Sequence, residues 1–250
     1  MVEMSFEKHI SVCMTSCNGE KYIAKQLDSI LPQLNKEDEL IICDDCSSDE
    51  TISIINGYND PRIKLIKNAV RLGVLKNFER CIAGAKNDII FLADQDDIWM
   101  PDKVKKMSRV FSENPRITLV LSNARIIDES DKAINSRFFK FYCRINIGLI
   151  RAVKNILKNN YLGAAIAFRR GITKYILPIP GDVPMHDMWI GILNDLYGRT
   201  YYLDEPLIKY RRHSRNLTSD RHSGFKQMLK WRLILIRRLF ERAIALAGRV

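Results

Sequence analysis

The chain has 250 residues, 46% of them hydrophobic, with 40 Lys+Arg against 29 Asp+Glu and a formal charge of +11. That composition supports one sizeable core and excludes a disordered, collagen-like or coiled-coil chain. The charge is uneven: residues 208–250 hold 12 of the basic residues but only Asp220 and Glu241, leaving +10 there and +1 in residues 1–207. A near-neutral body with a basic end argues against a nucleic-acid-binding fold, whose basic face would run through the body.

In chain order, residues 9–14 (HISVCM) read as a short strand ending in the polar turn Thr15–Gly19. Helical spacing of Tyr22, Ile23, Leu27, Ile30, Leu31 and Leu34 follows. Residues 39–43 (ELIIC) predict a second buried strand, running into Asp44-Asp45-Cys46-Ser47-Ser48-Asp49, where Ser48 or Asp49 caps the next helix. A strand at 62–67, a helix at 74–86 and a strand at 88–93 come next, the last entering Asp94-Gln95-Asp96-Asp97. Pro101 opens a further helix, and 117–122 predicts a fifth strand. Residues 123–160 are basic and less regular; 161–168 is an apolar run. A helix over 186–197 opens at His186-Asp187, and 200–210 reads as a short strand with a turn at Asp204-Glu205-Pro206. Alternation of this kind predicts an α/β fold with a mostly parallel, Rossmann-like sheet. Ligands bind beyond the carboxyl ends of such strands, so the clusters at 15–19, 44–49 and 94–97 should meet at one edge.

Three carboxylates within four residues repel one another unless a cation sits among them, and oxygen ligands suit Mg²⁺ or Mn²⁺. The plainer alternative is a solvated acidic turn capping the next helix. A zinc reading of Cys13, Cys17, Cys43 and Cys46 is disfavoured, because Cys13 and Cys43 fall inside buried strands. Six cysteines in a chain without a visible signal peptide read as reduced thiols.

The stretches ISVCMTSCNGEKYIAKQLDSIL, ELIICDDCSSDET, NDIIFLADQDDIWMPDKV, HDMW and YRRHSRN, spanning about residues 9–217, resemble family 2 glycosyltransferases of the GT-A fold. DQDDIW with HDMW and YRRHSRN is most similar to the bacterial rhamnosyltransferase-like subgroup, which builds surface polysaccharides. The resemblance implies an inverting, metal-dependent hexosyltransferase. It would move a sugar from dTDP-rhamnose or a UDP-hexose to a glycan or lipid-linked acceptor. Thr15 and Asp44 would hold the base and ribose, with Asn18 and Asp45 beside them. Asp94 and Asp96 would handle the metal–diphosphate, with Asp97 an alternative ligand to Asp94. Asp187 would be the general base, although a helix-capping carboxylate is the simpler reading. His186, where many relatives carry an acidic residue, would orient the acceptor. Trp189 is either a sugar platform or core. His213 would bind metal or phosphate, Arg211 or Arg212 would pair with phosphate oxygens, and Arg71 and Lys76 could reach the nucleotide. Two departures stand out: Cys17 replaces an aromatic residue and Cys46 a glycine, the second implying a changed turn.

Residues 218–250 form a basic tail after a catalytic domain at 1–217. In 225–247 apolar residues recur at helical spacing with Lys and Arg between them. Such a helix suits an anionic membrane interface, placing the protein in the cytoplasm at the inner membrane face. Packing on its own domain or on a second subunit, as in a homodimer, is the alternative. Two other functions compete. A nucleotidyltransferase would want a glycine-rich, basic loop after the first strand, and TSCNGEKY fits that poorly. A membrane-docked scaffold with a dead transferase fold would have no need of the acidic motif or Asp187.

Overall fold

The computed structural model describes residues 9–135, 137–139, 145–146, 148–214, 216 and 224–248. Arg215, Asp220, Arg221 and Arg249 of the basic end, and Cys143 of the six cysteines, lie outside them.

The first half alternates as the sequence predicts: β1 (Ile10–Ser16), α1 (Ile23–Ile30), β2 (Glu39–Asp44), α2 (Thr51–Gly57), β3 (Ile63–Lys67), α3 (Val74–Gly84) and β4 (Ile89–Asp94). β1, β2 and β4 are mostly apolar and buried from end to end apart from Asp94, as strands covered on both faces must be. After β4 come β5 (Ile98–Trp99), α4 (Lys103–Glu113), β6 (Leu119–Ile127), β7 (Ala133–Asn135), β8 (Ile145–Asn146), α5 (Leu149–Leu157), β9 (Ile166–Arg169), α6 (Thr173–Ile176), α7 (His186–Tyr197), β10 (Thr200–Arg211) and α8 (Phe225–Ala247).

One sheet runs β3-β2-β1-β4-β9-β6-β10-β5, with β7 paired to β6 and β8 to β10. Its β3-β2-β1-β4 half is parallel, so all four carboxyl ends share an edge. β9 enters antiparallel between β4 and β6, making the sheet mixed rather than uniformly parallel. The expected turn at Asp204-Glu205-Pro206 is a bulge: β10 continues through it beside β6, with register shifts around Pro206. α5, inside the region read as irregular, was not anticipated.

α8 lies against the body by one face. Leu235 is fully buried, Arg238 holds Asp182 through two hydrogen bonds of 2.8 and 2.9 Å, and Arg242 donates to the carbonyls of Tyr175 and Leu177. The opposite face leaves Leu229, Leu233, Ile236, Phe240 and Ile244 exposed. No helix among the described residues is long and apolar enough to cross a membrane.

Candidate active site

A cavity of about 880 Å³ opens at the carboxyl edge of the parallel strands. Thr15 lines it from β1 and Asn18 from the loop after it, Asp45 from the loop after β2, Asp94 from the end of β4 and Asp96 from the turn beyond, and His186 and Asp187 from the start of α7. Register explains part of the convergence, since Thr15 is paired with Asp94 across the ladder. Gln95 ties the two ends together: its Oε1 accepts from the Cys17 amide at 2.8 Å and its Nε2 donates to the Cys17 carbonyl at 3.0 Å. A Cβ on Gly19 would sit 2.2 Å from that Oε1, so this clamp requires glycine there.

The paired aspartates after β2 hold loops. Asp44 does not line the cavity: it accepts from Ser16 Oγ at 2.8 Å and from the Ser47 amide at 2.9 Å. Its expected contact with base and ribose is therefore replaced by a turn-holding role. Asp45 faces the cavity while accepting from the Leu72 and Gly73 amides at 2.6 and 2.9 Å. That fixes the loop on which Arg71 reaches the cavity wall. Cys46 has φ +60°, the left-handed conformation that favours glycine.

Asp97 also departs from expectation. It is fully buried, lies outside the cavity, and accepts from the Arg211 amide at 2.9 Å. Burial, then the charges of Asp96 and Asp94, push its carboxyl well above the usual range. Arg211 is likewise withdrawn from any phosphate. Its Nε donates to the Asp96 carbonyl at 2.7 Å, its guanidinium pairs with Asp131 at 2.5 Å, and it stacks over Tyr22. Thus Arg211 braces the acidic turn from behind. Lys76 is engaged with Glu79 and the Ile179 carbonyl, and Trp189 is core, its indole N–H donating to the Ile176 carbonyl. Arg212 lies over the Tyr210 ring.

Asp94, Asp96 and Asp187 face the cavity together with Asp45, Glu20 and Glu129. Burial, then the charges of Asp96 and Asp187, push Asp94 up to about 7. Burial raises Asp187 to about 6, opposed by the Met188 and Gly163 amides and the Asn159 side chain. The Met188 amide donates to Asp187 Oδ1 at 2.6 Å in the first turn of α7, where the helix dipole favours the anion. His213 reaches in from beyond β10: its Nε2 is 2.7 Å from Asp96 Oδ2, and its ring stacks on Tyr22 at 5.1 Å.

Among the described residues no three Asp, Glu, His or Cys side chains form a ready-made metal cage. Mg²⁺ and Mn²⁺ at nucleotide sites normally take one or two carboxylates and complete their shell with phosphates and water. Asp94, which burial and the charges of Asp96 and Asp187 disfavour as an anion, opens to the cavity beside Asp96, and the pair fits such an ion. Tyr22, Gln95, Glu129 and Gly163 also line the cavity; the sequence singled out none of them as a site residue, and Tyr22 was legible only as a helical apolar position.

The sequence model described as Glycosyl transferase family 2 matches residues 11–177. An uncharacterized protein of Mycobacterium tuberculosis is 28% identical over 227 residues, covering 89% of this chain and 63% of its own length. UDP-Glc:alpha-D-GlcNAc-diphosphoundecaprenol beta-1,3-glucosyltransferase WfgD of Escherichia coli is 26% identical over 220 residues, covering 87% of this chain and 83% of its own. Among solved structures, Staphylococcus aureus TarS 1–349 in complex with UDP-GlcNAc shares the fold. Its TM-score is 0.72 at 19% identity, over 91% of this chain and 66% of that one. The chain therefore spans about two thirds or less of the mycobacterial and staphylococcal proteins it matches.

Proposed function

We propose, from the premise that this chain belongs to glycosyl transferase family 2, that it moves a hexose from a nucleotide diphosphate to an acceptor hydroxyl with inversion. The observation that carries this is the meeting of Asp94, Asp96 and Asp187 on one cavity that Thr15, Asn18, Asp45 and Arg71 also line. In this reading Thr15, Asn18 and Asp45 bind the nucleoside, and Arg71 meets the diphosphate. Asp94 and Asp96 would hold Mn²⁺ or Mg²⁺, with His213 orienting Asp96. A cation bound there would offset the charge that builds on the departing diphosphate.

Asp187 then acts on the acceptor. A carboxylate with a pKa near 6 is ionised at neutral pH yet basic enough to take a proton from a hydroxyl. The Met188 and Gly163 amides and Asn159 hold it in place, and its proton arrives as the acceptor oxygen attacks the anomeric carbon opposite the leaving group. A single base and a single in-line displacement give inversion.

The donor in this proposal is a UDP-hexose, ahead of dTDP-rhamnose. WfgD is named for a UDP-Glc donor and a diphosphoundecaprenol-linked acceptor, and TarS was solved with UDP-GlcNAc; both names support a UDP-sugar, and the first a lipid-linked acceptor. We further propose that residues 1–217 are the catalytic domain and 218–250 an appendage that rests on an anionic membrane. Support comes from the exposed stripe of α8, flanked by Lys226, Lys230 and Arg237. α5 adds exposed Leu149, Ile150, Val153 and Leu157 next to it, joined by Arg232 donating to the Leu157 carbonyl at 2.5 Å.

The test is Asp96→Ala: sugar transfer from UDP-glucose to a diphosphate-linked acceptor should fall by at least a hundredfold. Unchanged transfer would remove Asp96 from the metal–diphosphate role.

A further inference from the structure

Four successive carbonyls, from Tyr175 to Pro178, are met by two side chains. Arg242 of α8 donates to Tyr175 at 2.8 Å, to Leu177 at 2.7 Å and to Pro178, and the Trp189 indole N–H donates to Ile176 at 2.8 Å. The two donors also meet each other, the Arg242 guanidinium lying 5.3 Å from the centre of the Trp189 ring as a cation on a π face. One turn back along α8, Arg238 holds Asp182 in two hydrogen bonds and Arg237 adds another at 2.8 Å. All of these hydrogen bonds fall on residues 175–189, the stretch that carries Met185, His186 and Asp187 to the cavity wall. Trp189 is fully buried in the first turn of α7, two residues after Asp187. Backbone carbonyls in a short irregular segment need partners from elsewhere, and the planar fork of a guanidinium meets several at once where an ammonium cannot.

We propose that Arg242 is a positioning residue: through Trp189 and the Tyr175–Pro178 carbonyls it fixes the start of α7, so that α8 completes the acceptor side of the active site as well as facing a membrane. This rests on the transferase reading of the cavity. Asp187 must meet an acceptor hydroxyl at hydrogen-bond distance, and a displacement of about 1 Å at such a group can cost about a hundredfold in rate. Thr15, Asn18, Asp45, Asp94 and Asp96 stand instead on the β1–β2–β4 ladders and the loops that follow them. Loosening α8 should therefore cost turnover and spare nucleotide binding.

The test compares the full chain with Arg242→Met, which keeps an apolar stem but no donors, and Arg242→Lys, which keeps the charge but not the fork. Asp182→Asn loosens the same stretch from its own side and serves if Arg242→Met does not fold. The first arm is amide hydrogen exchange without substrate. Peptides covering 183–193 should exchange at least tenfold faster in Arg242→Met, with β1 and β4 unchanged. Unchanged exchange at 183–193, or an equal rise throughout the chain, would overturn the proposal. This arm involves no sugar, so its outcome is independent of the transferase assignment. The second arm is transfer from UDP-glucose to GlcNAc-diphosphate on a short alkyl chain, without vesicles, so membrane binding plays no part. The value of kcat should fall at least tenfold in Arg242→Met and recover in part in Arg242→Lys, while the Kd for UDP with Mn²⁺ stays within twofold of the wild type. Wild-type kcat in Arg242→Met would make the grip one of packing alone and would overturn the proposal, as would a Kd that rises in proportion to the loss of kcat. No transfer by the wild type itself would count against the transferase reading, and the exchange arm would then decide whether α8 fixes α7.

Discussion

Burial lifts the Asp187 carboxyl to about 6 from an ordinary 3.8. A carboxyl whose folded pKa is raised retains its proton in the folded state after the unfolded chain has lost it. Stability therefore falls as pH rises between those two values and stays lowered above them. At about 1.4 kcal/mol per unit, Asp187 costs about 3 kcal/mol at neutral pH. Asp187→Asn should accordingly match the wild type in stability near pH 4 and exceed it above pH 6, as read from urea unfolding at both pH values. The same variant should lose transfer by at least a hundredfold. In the wild type, kcat should climb with pH and level off above about 6. A profile flat from pH 5 to 8 would contradict the assignment of the base.

Cys46 makes the opposite kind of prediction. A left-handed backbone costs a non-glycine residue about 1–2 kcal/mol, and Cys46 sits at φ +60°. Its thiol donates to the Asn68 carbonyl at 3.2 Å, a weak return. Cys46→Gly should therefore raise stability by about 1 kcal/mol in thermal or urea unfolding, with nucleotide binding unchanged. Individual residues were the least legible level of the sequence. Asp44 and Asp97 sit inside their motifs, yet both turn away from the cavity, because direction after a strand end is set by the turn and not by the motif. Arg211 was read as a phosphate ligand; its guanidinium instead meets the carbonyls of Asp96 and Asp128 and the carboxylate of Asp131 across the fold, partners 80 or more positions away.

At the scale of elements, the long periodic segments were read well. α7 and α8 occupy the predicted ranges, and four strand ends meet at one edge as alternation required. α5 went unread because it is nine residues long, opens after Gly148 at φ +87°, and lies in a basic stretch. Nor could periodicity tell that β9 enters antiparallel. α8 carries two apolar stripes, and only the structure separates the one that packs from the one that does not. Its exposed stripe leads to an element-scale prediction. Leu233→Glu with Phe240→Glu should abolish co-sedimentation with vesicles containing phosphatidylglycerol while leaving unfolding little changed, since both side chains are at least 60% exposed. Equal binding by the variant would remove the membrane role from α8.

For the molecule as a whole, the charge of +11 divides into a near-neutral body and a basic end, and the structure gives that end two faces. One holds the segment from Tyr175 to Asp182, which runs on toward His186 and Asp187; the other is open. The body gathers acidic groups at its cavity, so bound metal and nucleotide should stabilise it together. With UDP, Mn²⁺ should raise the melting temperature more than either ligand alone, because the phosphates complete the ion's coordination. The most direct measurement of the central claim is UDP release from UDP-sugars, with a lipid-diphosphate acceptor and Mn²⁺, by the wild type and by Asp187→Asn. The account predicts release by the wild type that chelation with EDTA abolishes, and at least a hundredfold less from the variant. Equal release by the two proteins would contradict it.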